Sequence, residues 1–317
     1  MSLRIAIFGQ GAFGRDVLEG VLAAGHEVVG VHVRPDLDRP GRPDPLAEAA
    51  RERGFPLFRH RRYRKAGRSI PEIVEEYRKL GAELNLMPYT TVILPPEIVD
   101  APPNRSLCFH PSLLPRYRGG SAIPWQIILG ERETGVTVFQ PDAGVDTGPI
   151  VVQRGGVEIE ETDSAGSLYF RKLYPLGLEA MVEAVDLVDR GLARPVPQDE
   201  RLASFQPLLD DEAARIDWAR PAVELSRLIR GCDPSPGAHG RWRGKPVRLF
   251  GARLLPGGPP PGAVPGQVVG IEDGQLVVAA ADGRIAVERV RVGDGPKQPA
   301  VDSGIAPGET LEAGGSG

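Results

Sequence analysis

Cysteine is nearly absent from this chain of 317 residues: there are two, Cys108 and Cys232. They are far apart and form no C-x-x-C pair, which excludes a disulfide framework and a cysteine-based zinc site. A reducing, cytoplasmic setting fits such sparse use. An excess of either charge is also missing, since 38 Lys and Arg face 42 Asp and Glu for a formal net charge of -4. Nothing in that balance calls for a nucleic-acid partner, although a local basic patch fits inside an acidic total. Long apolar runs are lacking too. The opening Met1-Ser2-Leu3-Arg4-Ile5-Ala6-Ile7-Phe8 meets a glycine-rich turn at once, too short for a signal segment or a membrane span, so no membrane partner is expected. What remains is the composition of a globular protein, 41% hydrophobic and 25% charged. Its length allows about two domains.

Short apolar runs alternate with amphipathic stretches in the first part: Arg4 to Phe8, Phe13 to Ala24, Glu27 to Val33 and Pro45 to Arg53. Further strands are expected at Phe55 to Phe58, Glu83 to Met87, Ser106 to Phe109 and Gly135 to Gln140, with a helix from Pro71 to Lys79. This βαβα order predicts an α/β fold, a doubly wound, mainly parallel Rossmann-like sheet covered by helices on both faces. Ser164 to Gly191 has apolar positions at helical spacing and reads as a long helix or helix pair, broken or kinked at Pro175. After Pro195-Val196-Pro197-Gln198 the composition changes. One helix within Leu202 to Arg230, centred on Ala222 to Arg230, precedes strands at Pro246 to Phe250, Gly266 to Ile271, Gln275 to Ala280 and Ile285 to Val292. Those short strands with glycine and proline turns predict a small β-barrel of OB-like type. The expected division is 1–203, 204–311 and a flexible glycine-rich tail at 312–317.

Gly9-Gln10-Gly11-Ala12-Phe13-Gly14 is a literal G-x-G-x-x-G between a strand and a helix. A dinucleotide site also needs an acidic residue at the end of the second strand, about 20 residues on. Here the chain reads Gly30-Val31-His32-Val33-Arg34-Pro35-Asp36, with no carboxylate until after a proline turn. The reading is therefore a tight turn that uses glycine for close packing, and no NAD is expected.

Chemistry concentrates in two loops. Cys108-Phe109-His110-Pro111-Ser112-Leu113-Leu114-Pro115-Arg116-Tyr117-Arg118-Gly119-Gly120 places a histidine after an apolar strand, at the edge where open α/β sheets bind ligands. Its prolines and glycines make a rigid, shaped loop. The second loop, Gln140-Pro141-Asp142-Ala143-Gly144-Val145-Asp146-Thr147-Gly148, also follows a strand, and its glycines leave backbone groups free to approach a planar ligand. His110 and Asp146 then form a pair with complementary proton chemistry on neighbouring strand ends. Alone, a histidine is more often structural and a turn aspartate more often a cap.

The runs His110-Pro-Ser-Leu-Leu-Pro-Arg-Tyr-Arg-Gly119, Gly130-Glu-Arg-Glu-Thr-Gly-Val-Thr-Val138 and Asp142-Ala-Gly-Val-Asp-Thr-Gly148 together resemble the folate-dependent formyltransferases. Arg64 to Val74 and Leu80 to Pro88 are most similar to the amino-terminal hydrolase domain of 10-formyltetrahydrofolate dehydrogenase, and methionyl-tRNA formyltransferase is also similar. The resemblance implies a 10-formyltetrahydrofolate substrate, no metal, and a pterin cleft edged by Val92, Ile93 and Leu94 and by the backbone from Gln140 through Asp142 and Gly144 to Val145. It implies that Ser112, Leu113, Leu114 and Pro115 brace the loop and line the folate site. His110 would donate to the formyl oxygen, and Asp146 would orient it and relay the acceptor's proton. Transferases of this group carry asparagine where this chain has Cys108, which shifts the expectation towards hydrolysis. At Cys108 an apolar wall residue is favoured over a reactive thiol.

The acceptor stays open among water, a small amine such as an amino sugar or peptide, and tRNA. The last is disfavoured because the Arg34 to Pro45 loop balances arginine against aspartate and would neutralise phosphate poorly. Arg116 and Arg118 are candidates for an acidic acceptor or the glutamate tail, solvated loop arginines being the commoner case. A folate- or nucleotide-binding module without catalysis is the reading of another class.

Overall fold

The computed structural model describes residues 2–37, 41 and 43–314. Residues 38–40 and 42 of the charge-balanced loop, and 315–317 of the expected tail, lie outside the described residues. The chain groups into two compact units, one of residues 1–120, 135–156 and 172–205, the other of 121–134, 157–171 and 206–317.

The larger sheet contains β1 (Arg4–Phe8), β2 (Glu27–His32) and β3 (Leu57–Phe58). After a separate ribbon, β4 (Arg64–Lys65) and β5 (Arg68–Ser69), it continues with β6 (Leu84–Met87), β7 (Ser106–His110), β8 (Glu133–Phe139) and β9 (Ile150–Glu158). The order is β3-β2-β1-β6-β7-β8-β9, parallel from β3 through β7. Ile5, Ala6 and Ile7 are fully buried, as a strand covered on both faces requires. The order reverses between β1 and β6, the place where doubly wound sheets open a ligand crevice at their carboxyl ends. β8 departs from the parallel expectation: it runs antiparallel to β7, with Cys108 opposite Phe139 and His110 opposite Thr137.

Helix α1 (Gly11–Ala23) buries Phe13, Val17, Leu18 and Val21 at helical spacing. The glycines before it and in its first turn serve packing: a Cβ on Gly9 would stand 3.0 Å from Pro88 Cγ, and one on Gly14 3.0 Å from Leu46 Cδ2. The Gly11 N–H donates to Asp44 Oδ2 at 2.7 Å. Asp44 also caps α2 (Pro45–Glu52), accepting from the Leu46 and Ala47 amides at 3.0 and 3.3 Å. The helix-terminal amide that a pyrophosphate approaches in dinucleotide-binding proteins is here engaged by the chain's own carboxylate.

Behind β7 lies a buried polar network. The Tyr77 hydroxyl, on α3 (Pro71–Arg78), donates to Asn85 Oδ1 at 3.0 Å. Asn85 Nδ2 donates to the Ile98 carbonyl, on α4 (Pro96–Val99), at 2.8 Å and to Ser106 Oγ at 3.1 Å, and Ser106 Oγ donates to the Val99 carbonyl at 2.6 Å. Asn85 is fully buried, so Asn85→Leu strands the Tyr77 hydroxyl and the Ile98 carbonyl together. The expected loss is about 3 kcal/mol of unfolding free energy. Urea titration measures it, and an unchanged midpoint would contradict the network's role.

Chain 165–189 is helical but not uniform: α6 (Ala165–Leu168) passes through a π turn (Tyr169–Leu173) into α7 (Tyr174–Asp189). Pro175 stands in the first turn of α7, and its missing N–H accounts for the irregular turn before it.

In the second unit α5 (Ala122–Ile128) packs on α8 (Ala222–Gly231), so closely that a Cβ on Gly231 would stand 2.5 Å from Ile128 Cγ1. That contact explains why 121–134, which precede the expected boundary at 203, group with the later chain. The strands β10 (Ala238–Trp242), β11 (Lys245–Leu255), β12 (Val268–Glu272), β13 (Gln275–Ala279), β14 (Arg284–Val292), β15 (Gln298–Pro299) and β16 (Glu312–Ala313) form an antiparallel sheet. Its order is β12-β13-β14-β11-β10-β16, with β15 on β14, and it curls as a half-barrel around Leu225, Ile229, Leu249, Val278 and Ile285. An isolated bridge between Gln267 and Thr310 ties its two ends. Glu312 and Ala313, expected in a flexible tail, are instead strand residues paired with Arg241 and Gly240.

Candidate active site

His110 ends β7 and is buried. Its Nε2 lies 2.7 Å from the Tyr117 carbonyl, which only accepts, so Nε2 carries a proton. Nδ1 faces Asp146 Oδ2 at 3.6 Å. Burial pushes the His110 pKa below its ordinary value, while the Asp146 charge and the Tyr117 carbonyl act the other way. The neutral ring thus presents an unprotonated Nδ1 beside a carboxylate.

Asp146 does not come from a neighbouring parallel strand end. β8 points the other way, and the loop after it doubles back, with the Gln140 N–H donating to the Pro149 carbonyl at 2.9 Å. Asp146 has φ 56, in the left-handed region, and Oδ2 accepts from the Gly119 N–H at 2.8 Å. Tyr117 has φ 61 as well, so the backbone of 117–119 bends to hold His110 through one residue and Asp146 through another. Such strain persists only where the surroundings fix it.

The surroundings are a strap from residues 198–205. Arg118, whose side chain is 8% exposed, donates to Glu200 Oε2 and Oε1 at 2.9 and 2.7 Å and to Gln198 Oε1 at 3.2 and 2.8 Å. It is therefore no solvated loop arginine. The Tyr117 N–H donates to Ser204 Oγ at 2.9 Å, and the Arg118 N–H to the Ser204 carbonyl at 2.9 Å. Arg116 stays exposed, 5.6 Å from the Tyr117 ring.

Several expected folate contacts are placed otherwise. Ser112, Leu114 and Pro115 are buried as braces: Ser112 Oγ donates to the Arg116 carbonyl at 2.7 Å, and the Leu114 carbonyl accepts from Gln153 Nε2 at 2.9 Å. Leu113 is half-buried. Leu94 belongs to the core with Phe8, Tyr77 and Ile98, and Val92 and Cys108 pack against that core from partly accessible positions. Ile93 and Val145 stand in solvent at 73% and 54% exposure. Asp142 accepts from the Gly144 N–H at 2.9 Å and from Thr147 Oγ1, so its side chain builds the loop. Packing within the loop itself requires glycine at 144 and 148. A Cβ on the first would stand 2.1 Å from Thr147 Oγ1, and one on the second 1.7 Å from the Gln140 carbonyl oxygen. Gln140 is half-buried at the loop's start.

Burial, with the Asp146 charge adding to it, pushes the Cys108 thiol pKa far up. It is a protonated wall group and not a thiolate nucleophile. Among the described residues no cluster of three His, Cys, Asp or Glu side chains could hold a metal, and no helix is long and apolar enough to cross a membrane. A concavity apart from the His110–Asp146 pair lies at the carboxyl ends of β1, β2 and β6, lined by Gln10, His32, Arg34, Tyr63, Thr91 and Val92 among others.

Residues 3–185 match the family described as Formyl transferase, and 208–303 match Formyl transferase, C-terminal domain. The chain belongs to the formyl transferase family. It is 41% identical over 305 residues to human mitochondrial 10-formyltetrahydrofolate dehydrogenase, covering 94% of this chain but 33% of that protein. The chain thus spans about a third of the dehydrogenases it matches. It is 36% identical over 299 residues to methionyl-tRNA formyltransferase of Stutzerimonas stutzeri (strain A1501), covering 92% of this chain and 91% of that protein. Among solved structures, HypX from Aquifex aeolicus with tetrahydrofolic acid shares the fold at a TM-score of 0.69 and 22% identity, over 95% of this chain and 47% of that one. A Helicobacter canadensis N-formyltransferase, solved with folinic acid and dTDP-3-aminofucose, shares it at a TM-score of 0.66 and 17% identity, over 90% and 98%.

Proposed function

We propose that this formyl transferase removes the formyl group of 10-formyltetrahydrofolate and passes it to water. The observation that carries the reading is His110 held with Nε2 on the Tyr117 carbonyl and Nδ1 towards Asp146. A neutral, buried imidazole with one nitrogen fixed and the other free is a general base. This refines the expected donor role: Nδ1 donates only after it has taken a proton.

Water attacks the formyl carbon as His110 Nδ1 takes its proton, and Asp146 stabilises the resulting imidazolium. The tetrahedral intermediate collapses as the carbon–N10 bond breaks. The imidazolium returns its proton to N10, and the products are formate and tetrahydrofolate. Exposed Ile93 and Val145 offer apolar edges for the pterin, and the protonated Cys108 thiol is a small wall residue beside the reacting carbon. The likeness to 10-formyltetrahydrofolate dehydrogenase supports 10-formyltetrahydrofolate as the formyl donor, and Cys108, where transferases of this group carry asparagine, favours water as acceptor. Two free cysteines fit the cytoplasm as its location.

Methionyl-tRNA as acceptor is the second reading, favoured by the match along 91% of that enzyme. Pure protein incubated with 10-formyltetrahydrofolate decides between them. Tetrahydrofolate and formate released in equal amounts without any acceptor is expected; release that waits for methionyl-tRNA or an amino sugar would transfer the assignment to that acceptor.

A further inference from the structure

We propose that Gln198 is a positioning residue that holds the Asp146 carboxylate against His110. The inference rests on the proposed chemistry of that pair but is argued from contacts alone. Gln198 lies 52 positions from Asp146 and 80 from Arg118 in the chain, in a proline-flanked stretch that reads as a linker. In the fold its amide group closes a circuit. Nε2 donates to the carbonyls of Asp146 at 2.9 Å and Gly148 at 2.7 Å, and Oε1 accepts from Arg118 Nε and Nη2. Only one orientation of the amide satisfies all four contacts, because carbonyls accept and guanidinium donates. The strap itself is anchored: the Val196 N–H donates to the Ile150 carbonyl at 2.8 Å, and the Val196 carbonyl accepts from the Ile150 N–H at 2.8 Å.

The consequence concerns a strained residue. Asp146 sits at φ 56, in the left-handed region that non-glycine residues seldom occupy unless their surroundings hold them there. Two bonds from one side chain to the carbonyls at 146 and 148 hold the turn in that conformation, and the turn aims Oδ2 at the Gly119 amide and at His110 Nδ1. Arg118 ties the same device to the other loop, because its neighbours Tyr117 and Gly119 make the backbone contacts to His110 and Asp146. One amide therefore sets the spacing of the two loops that carry the pair. Without it the 146–148 turn relaxes towards a common conformation and the carboxylate withdraws.

Two variants separate this role from general support. Gln198→Glu keeps an acceptor for Arg118 and removes both donors to 146 and 148. Gln198→Ala removes all four contacts without adding charge. Both are expected to keep their circular dichroism spectrum and the KM for 10-formyltetrahydrofolate, while kcat falls on the order of tenfold to a hundredfold, the range for a misplaced reacting group. A rate-independent readout accompanies them, the titration of the His110 ring followed by NMR on imidazole-labelled protein. The ionisable groups in the two loops and on the strap are Asp146, which acts on that ring and on the Cys108 thiol, and Asp142 and Glu200, which act with Asp146 on Arg118. Of these, the Asp146 charge is the one that raises the His110 pKa, so its withdrawal in Gln198→Ala moves the titration to lower pH. Wild-type kcat in Gln198→Glu, or an unmoved His110 titration in Gln198→Ala, would overturn the proposal. If the wild type itself releases no tetrahydrofolate, the functional reading fails and the titration alone decides the positioning role.

Discussion

Alanine at His110 is expected to slow tetrahydrofolate release by about 10³-fold, which corresponds to about 4 kcal/mol of barrier. The size follows from the arrangement, since among the described contacts Nδ1 is the neutral base beside the Asp146 carboxylate. The KM should stay within a small factor, because Nε2 is spent on the Tyr117 carbonyl and not on substrate. His110→Gln is the sharper probe. Its amide keeps a donor for that carbonyl and so preserves the turn, yet it has no nitrogen that can take a proton at neutral pH. A glutamine variant as slow as the alanine variant assigns the loss to proton transfer. Release within tenfold of wild type in both would show that His110 is not the proton-transfer group, whereas no release from the wild type itself would return the chain to the other class, a folate- or nucleotide-binding module.

That pair was legible in the sequence, through the His110 to Gly119 run, the Asp142 to Gly148 run, and the apolar strands before them. The parallel part of the sheet was legible for the same reason: Ile5, Ala6 and Ile7 form a continuous apolar run, as a strand buried on both faces must. The direction of β8 was not. An antiparallel strand inside a covered sheet carries the same apolar pattern as a parallel one, and Val136 and Val138 are as buried as Ile5. β9 went unread because its burial is mixed, with Val152 in the core and residues 153–156 exposed. The second unit was read by its strands, but α5 joins it through contacts with α8 that no local pattern announces.

Within the site, the invisible part is made of backbone. The Tyr117 carbonyl and the Gly119 amide do what a side-chain motif would do elsewhere, and neither group has a letter in the sequence. The glycines have a further reason that the sequence does not display: Gly144 and Gly148 admit Thr147 and the Gln140 carbonyl of their own loop. Gln198 and Ser204 had no signal at all, being ordinary polar residues in a stretch bounded by prolines.

Asparagine at Asp146 is the change that isolates charge from shape. Asn adopts the left-handed conformation readily, so φ 56 is retained, and its side-chain oxygen still accepts from the Gly119 amide. What disappears is the negative charge 3.6 Å from Nδ1. The imidazolium that forms as water is deprotonated then lacks its counter-ion, and kcat is expected to fall by about 10²-fold. The pH profile carries the more telling sign. Activity requires neutral His110, so it is present above the ring's pKa and lost as pH falls through it. Burial already sets that pKa below the ordinary histidine value, and the Asp146 charge opposes burial. Removing the charge leaves only the Tyr117 carbonyl to oppose burial, so in Asp146→Asn the acid limb of kcat/KM moves to lower pH while the plateau drops. A limb that moves to higher pH, or stays in place, would show that Asp146 does not act through His110. In the double variant with His110→Gln, the rate should fall no further than in His110→Gln alone, because a carboxylate that works by stabilising an imidazolium has nothing left to stabilise.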